Sequence, residues 1–192
     1  MYDENYYKTL NYADYLGRQE RYDKLAQELS DLLSKLNLVS TGMSTNILDY
    51  GCAVGFLVSA FQRVGYMTHG YDISEWAVKN AVTFNVDNYY PNIKYDVVTC
   101  LDVFEHMQDH EIRKVLKEIE TNVLIVRIPC STDGGQSFHL DVSRRDPTHI
   151  NCKSKAGWIE LIGQSGGFES MFNLNLLTIY DSPGVFCAMF VK

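Results

Sequence analysis

An α/β domain on a doubly wound, mostly parallel sheet, closed by a C-terminal antiparallel hairpin, is the fold this sequence predicts. Three observations carry that expectation. Asn46 to Asp72, NILDYGCAVGFLVSAFQRVGYMTHGYD, reads as strand, small-residue turn, helix and strand. Apolar runs at 96–101 and 123–128 then alternate with helix-period segments, as βαβ units require. Finally, Phe172 to Tyr180 and Val185 to Val191 flank Ser182-Pro183-Gly184, where Pro and Gly suit a type II turn.

Length and composition narrow the classes. At 192 residues, with 46% hydrophobic and 21% charged content, the chain has room for one domain with a real core. The expected division is an N-terminal helical cap over 1–45, a nucleotide-binding core over 46–128, and a loop, helix and hairpin over 129–192. A net charge of −7 argues against a nucleic-acid partner, which needs clustered Lys and Arg. No run approaches the roughly 18 apolar residues of a membrane span. The opening MYDENYYK is acidic and aromatic, unlike a signal peptide, so a cytoplasmic location is expected. Five cysteines without a C-x-x-C pair read as buried thiols in a reducing compartment.

Taken in order, residues 1–20 hold Tyr2, Tyr6, Tyr7, Tyr12 and Tyr15 and predict a short helix or ordered arm. A longer helix is expected from about Glu20 to Leu38, with Leu25, Leu29, Leu32, Leu33 and Leu36 on one face. Val39 to Thr45 reads as a loop. Ile47 and Leu48 lead into Asp49, and Gly51 and Gly55 let the backbone approach a ligand that a Cβ would exclude. The following helix carries Leu57, Ala60, Phe61 and Val64 inward and stops at Gly65. A strand from Met67 to Tyr71 ends on Asp72, where a carboxylate can accept both hydroxyls of a ribose. Asp49 would repel a diphosphate and suits a cationic ligand. The turn spacing also differs from the dinucleotide G-x-G-x-x-G.

Ser74 predicts an N-cap for a helix over 75–81, and Val82 to Val86 a brief third strand ending at Asp87-Asn88. Asp96 to Leu101 is a buried fourth strand running into Asp102-Val103-Phe104-Glu105-His106. A helix from Gln108 to Glu120 turns Ile112, Val115, Leu116 and Ile119 inward, and Val123 to Ile128 is the fifth strand. Residues 130–153 lack periodicity, yet carry His139, Asp141, Arg144, Arg145, Asp146 and His149 with apolar anchors. Loops of that length in a compact domain are usually functional.

The acid followed by Gly51-Cys52-Ala53-Val54-Gly55, the run YDVVTCLDVFEHMQD, and DPTHIN followed by Trp158 and Gly166-Gly167-Phe168 stand in one order. Together they resemble the class I S-adenosylmethionine-dependent methyltransferases, a Rossmann-like family. Ala53 replaces the central glycine of their first motif. The resemblance covers roughly residues 46–168. It implies S-adenosylmethionine as methyl donor, S-adenosylhomocysteine as product, and a small acceptor, often a sugar or other hydroxylated metabolite.

By the same resemblance, Asp49, Gly51, Cys52, Ala53 and Gly55 cradle the methionyl part and Asp72, followed by Ile73, holds the ribose. Asp87 bonds the adenine amine, and Leu101 and Asp102 line the site after the fourth strand. Tyr12, Tyr15 or Arg18 of the N-terminal segment contacts the methionine end. Asp87-Asn88 is also ordinary turn chemistry, and the tyrosines also suit plain aromatic packing.

Residues 130–153 are expected to bind the acceptor. A hydroxyl nucleophile benefits from a base of near-neutral pKa. His149 is the first choice, with Asp146 as its partner and His139 second. His106 is a further candidate, and each histidine can instead be a structural hydrogen-bonder. No metal is expected, because the placeable carboxylates are engaged otherwise and no His/Asp group has compact ligand spacing. Two other classes remain open: a non-catalytic S-adenosylmethionine-binding or partner-regulating domain, and a nicotinamide dehydrogenase, which the turn spacing and Asp49 disfavour. Sequence leaves the oligomeric state open.

Overall fold

The computed structural model describes residues 2–9, 14–39, 44–88 and 93–192. Seven strands form one sheet: β1 (Asn46–Tyr50), β2 (Met67–Tyr71), β3 (Val86–Asp87), β4 (Tyr95–Leu101), β5 (Thr121–Pro129), β6 (Ser170–Asn173) and β7 (Val185–Val191), in the order β3-β2-β1-β4-β5-β7-β6. β1 runs parallel to β2 and β4, and β2 parallel to β3. β7 is antiparallel to β5 and β6. This is the expected α/β class. The chain divides into two compact units, Met1–Thr99 and Cys100–Lys192. Among the described residues no helix is long and apolar enough to cross a membrane.

In the first unit, α1 (Gln19–Lys35) buries Leu25, Leu29 and Leu33, as its periodicity predicts. The helix stops three residues early, and Leu36 lies outside it and exposed. α2 (Phe56–Val64) begins and ends on left-handed glycines, Gly55 and Gly65. α3 (Glu75–Lys79) is capped by the Ser74 hydroxyl, which accepts from the Ala77 amide. The third strand is shorter and later than expected. Only Val86 and Asp87 pair, because Val82 is exposed and its amide bonds the Val54 carbonyl instead.

In the second unit, α4 (Asp109–Glu118) starts with the Glu111 carboxylate accepting from the Gln108 amide. α5 (Asp141–Arg145) is a single turn inside the unpatterned 130–153 segment. α6 (Lys155–Gly166) buries Trp158 and ends at left-handed Gly167. The terminal hairpin is antiparallel, but its first arm is Ser170–Asn173 rather than 172–180. Leu177 is 93% exposed, and Asn175 pairs with Tyr180 in an excursion of its own. The Pro183-Gly184 corner is present, with Ser182 and Val185 exchanging backbone hydrogen bonds. Gly184 is not left-handed, so the corner is not type II. Glycine is needed there for space: a Cβ would meet His139 Cδ2 and Leu140 Cγ at 2.8 Å.

The core of the first unit is closely packed around Gly70 of β2. A Cβ on Gly70 would meet Cys52 Sγ and Val58 Cγ2 at 2.7 Å, and Val86 Cγ2 at 3.0 Å. Gly70→Ala is expected to cost about 1–3 kcal/mol by overpacking. Denaturant titration should show this as a lower midpoint at unchanged slope; an unchanged midpoint would mean the neighbours yield freely.

Candidate functional site

The turn after β1 is the most constrained backbone in the first unit. Gly51 (φ 81), Ala53 (φ 48) and Gly55 (φ 81) are all left-handed. For Ala53 that conformation costs on the order of 1 kcal/mol, so something must hold it. Asp72 does so: its Oδ2 accepts from the Ala53 amide at 2.7 Å while its Oδ1 accepts from Ser74 N at 2.8 Å. The Gly51 and Cys52 amides donate to the Tyr71 carbonyl at 2.7 and 3.0 Å. Asp72 is only 6% exposed, and each of its oxygens retains acceptor capacity beyond the clamp.

Asp49 lies buried at the end of β1, its Oδ1 accepting from the Thr99 hydroxyl at 2.6 Å. Burial pushes its pKa up to about 7, against the opposing Thr99 hydrogen bond and with a further push from Asp72. Burial also raises Asp72. The first unit thus holds two buried acids next to a strained turn, a setting that favours a cation over an anion.

The tyrosine-rich N-terminus packs onto this turn. Tyr7 and Tyr15 form a core cluster with Val54, Phe56 and Ala77. Tyr7 stacks on Trp76 at 5.0 Å, and Tyr15 tilts against Phe56 at 5.4 Å. Burial raises the pKa of both phenols, with Asp72 adding to the effect at Tyr7. Arg18 pairs with Asp14 and sits 5.9 Å from the Tyr15 ring centre. Tyr12 lies outside the described residues. Asp87 is exposed, and its carboxylate accepts from Asn88 N at 2.7 Å, an ordinary turn contact. Ile73, at 69% exposure, is open to a ligand.

The second unit gathers a separate polar group. Leu101 ends β4 half-buried, and Asp102 follows at φ 57, ion-paired with Arg127. Glu105 and His106 sit in the short 3-10 turn Phe104–His106. The Glu105 carbonyl accepts from Ile150 N and Asn151 N, each at 2.9 Å, which ties residues 146–151 against this turn. His106 and His149 rings stand 4.6 Å apart at 77°. Asp146 Oδ1 accepts from Thr148 N at 2.9 Å and from the Thr148 hydroxyl at 2.5 Å, and Asp146 Oδ2 is 3.7 Å from His149 Nε2.

Burial pulls the His106 pKa down to about 4, with His149 adding to it, and burial also lowers His149. Burial raises Glu105 well above the carboxylate range, and Asp102 pushes the same way. Both imidazoles are therefore neutral at pH 7 and available as bases or ligands.

Three of the four expected catalytic residues, His106, Asp146 and His149, thus come together. His139 does not join them: it is exposed, with Nδ1 3.0 Å from the Thr132 hydroxyl. The absence of a compact His/Asp spacing in the sequence does not show the grouping the fold makes, in which Glu105, His106 and His149 converge. The 42 residues between His106 and His149 conceal this in the sequence. Nothing in the sequence marks Thr99, Arg127 or Thr148 as a site residue. Their alternation and turn signals mark them only as strand or loop residues.

A family model described as a methyltransferase domain matches residues 17–169. Among curated proteins, the ubiquinone biosynthesis O-methyltransferase of Shewanella sp. (strain ANA-3) is 32% identical over 78 residues, 33% of this chain and 33% of that protein. The chain thus spans about a third of the length of this curated relative. Among solved structures, an S-adenosylmethionine-dependent methyltransferase of Archaeoglobus fulgidus superposes at TM-score 0.62 and 16% identity, over 93% of this chain and 99% of that one. The magnesium protoporphyrin IX methyltransferase of Synechocystis PCC 6803, solved with bound S-adenosylmethionine, gives TM-score 0.57 and 20% identity, over 92% and 80%. At these identities the structural likeness shows the fold.

The shifted Asp49 makes a stability prediction. Its folded pKa of about 7 lies above the unfolded value of about 3.9, so the folded state binds the extra proton. The contribution of Asp49 is complete below pH 4 and is lost as pH rises toward 7, by about 1.4 kcal/mol per unit at most. The difference in unfolding free energy between wild type and Asp49→Asn should shift in favour of the variant over that window. A difference constant from pH 4 to pH 7 would show that Asp49 ionises normally.

Proposed function

The chain belongs to the family of methyltransferase domains, and from that premise we propose that it transfers the methyl group of S-adenosylmethionine to a small hydroxylated acceptor, a sugar or saccharide being the leading class. The observation that carries the donor half is the turn at 51–55, three left-handed residues clamped by Asp72 beside buried Asp49. Its glycines admit a ligand close to the backbone, and the paired acids suit a sulfonium and its ribose. Asp49 to Gly55 cradle the methionyl part. Asp72 accepts from the ribose hydroxyls with the capacity its clamp leaves, and Asp87 takes the adenine amine. Residues 1–45 act as a cap, with Tyr15 and Arg18 toward the methionine end.

Residues 129–192 handle the acceptor. A relative whose name specifies O-methylation supports an oxygen nucleophile, and the net charge of −7 supports a small molecule over a nucleic acid. The sulfonium supplies the driving force, so the chain's task is to align the reacting atoms at about 3–3.5 Å and to manage the acceptor's proton. Neutral His149 with Asp146 beside it serves that task, with His106 adjoining and His139 a second choice.

Two measurements test this. In a labelled-methyl screen against nucleotide sugars, saccharides and small phenols, His149→Ala should cut turnover about 10²-fold or more, the low end for a general base. Donor affinity and melting temperature should stay near wild type. Full turnover, or a melting point several degrees lower, would make His149 structural. By calorimetry, Asp72→Asn in folded protein should lose about 2 kcal/mol of S-adenosylhomocysteine affinity; wild-type affinity would remove Asp72 from the ribose.

A further inference from the structure

One ligand atom from each of Glu105, His106 and His149 lies within 4.8 Å of the others. Glu105 Oε1 is 3.9 Å from His106 Nε2 and 4.0 Å from His149 Nε2. We propose that these three residues form a binding site for a divalent first-row transition-metal ion, ligated by the Glu105 carboxylate and the Nε2 atoms of both histidines.

The first support is an anomaly. Glu105 is 0% exposed, and neither carboxylate oxygen has a hydrogen-bond partner among the described residues. An acid desolvated that completely and left unpaired costs several kcal/mol. A side chain serving only to fill the space would be leucine or methionine. A cation supplies the missing partner.

The second support is the tautomer. The Thr148 hydroxyl donates its proton to Asp146 Oδ1, so Thr148 Oγ1 is left to accept from His106 Nδ1–H at 2.9 Å. That puts the ring's lone pair on Nε2, the atom beside Glu105. A carboxylate reaching an imidazole through an intermediate group is how outer residues orient metal-ligating histidines.

Geometry and charge agree. Two ligand atoms about 4 Å apart can be bridged by an ion at about 2.0–2.2 Å from each, and a slight inward shift of the side chains seats all three. Arg127 neutralises Asp102; Glu105, which would release its proton to a bound cation, and Asp146 beside His149 then match a dication. Two imidazoles with one carboxylate suit zinc, manganese, iron or cobalt better than magnesium or calcium. Three protein ligands also leave coordination positions for oxygens from outside the chain. The use of those positions by an acceptor hydroxyl rests on the methyltransferase reading, and would make His149 a ligand instead of a free base; binding of the ion itself does not depend on that reading.

Chelator-treated protein should take up one Zn²⁺, and separately one Mn²⁺, per chain in calorimetric titrations, with a rise in melting temperature. Glu105→Gln and His149→Gln should each abolish this uptake. Thr148→Val, which keeps all three ligands, should weaken it about 10–100-fold. Cys152→Ser should leave it intact, excluding a thiol site. Glu105→Gln, close in shape to the protonated acid, should melt no lower than metal-free wild type; if it does not fold, Thr148→Val decides. Absence of saturable uptake of either metal, or wild-type affinity in these ligand variants, would overturn the site. Titrating S-adenosylhomocysteine into the same metal-free protein separates the two readings. Donor binding without metal uptake sinks only the metal site, and metal uptake lost with Glu105→Gln but no donor binding sinks only the methyltransferase reading.

Discussion

The first unit depends on one carboxylate. Asp72 closes the end of β2 and simultaneously holds Ala53 N and Ser74 N. Without it, a non-glycine residue at φ 48 has nothing to offset its left-handed cost. The clamp fixes the path of the turn, and the turn delivers Gly55, whose own left-handed conformation starts α2. The same acid frames the start of α3 through Ser74, whose hydroxyl caps that helix. One buried side chain thereby sets the relation of two strands and two helices within the unit. The close approach at Gly70 then makes that relation intolerant of even a methyl group.

The second unit is organised differently, around a carbonyl rather than a carboxylate. The backbone oxygen of Glu105 receives two amides from residues 150 and 151. Asn151 continues the seam by donating to the Met107 carbonyl at 2.8 Å and to Asp109 at 2.9 Å, while Lys153 pairs with Asp109 at 3.0 Å. An irregular segment is thus ordered by polar contacts to a single turn, not by apolar periodicity. With its backbone tied down, the segment can hold His149 at a set distance from His106, an arrangement a mobile loop would not maintain. The cost is a group of buried polar side chains, a departure from ordinary core composition.

Asp49 and Glu105 show how environment separates chemically similar groups. Both are buried carboxyls raised by desolvation. Asp49 keeps a hydrogen bond from Thr99 that opposes the rise, whereas neither Glu105 oxygen has a hydrogen-bond partner among the described residues and Asp102 adds to the rise. A group of the first kind can respond to a cationic ligand near pH 7, and one of the second needs a close cation to ionise at all.

Local pattern in the chain was enough to determine the α/β class, the βαβ unit from 46 to 72, the Ser74 cap and the glycine stop of α2. Each follows from periodicity or from a residue's own backbone preference, which act over a few positions. The acids at 49 and 72 were legible for the same reason, since they close strands that the pattern already marks. Tertiary structure alone decided what lies far apart in the chain. The short third strand and the excursion at 174–181 depend on which backbone groups find partners elsewhere, and the missing type II corner on the room beside His139 and Leu140. The convergence of Glu105 and His106 with His149 depends on a seam of hydrogen bonds across some forty residues. No local propensity encodes such a seam, because its energy exists only once both segments are in place.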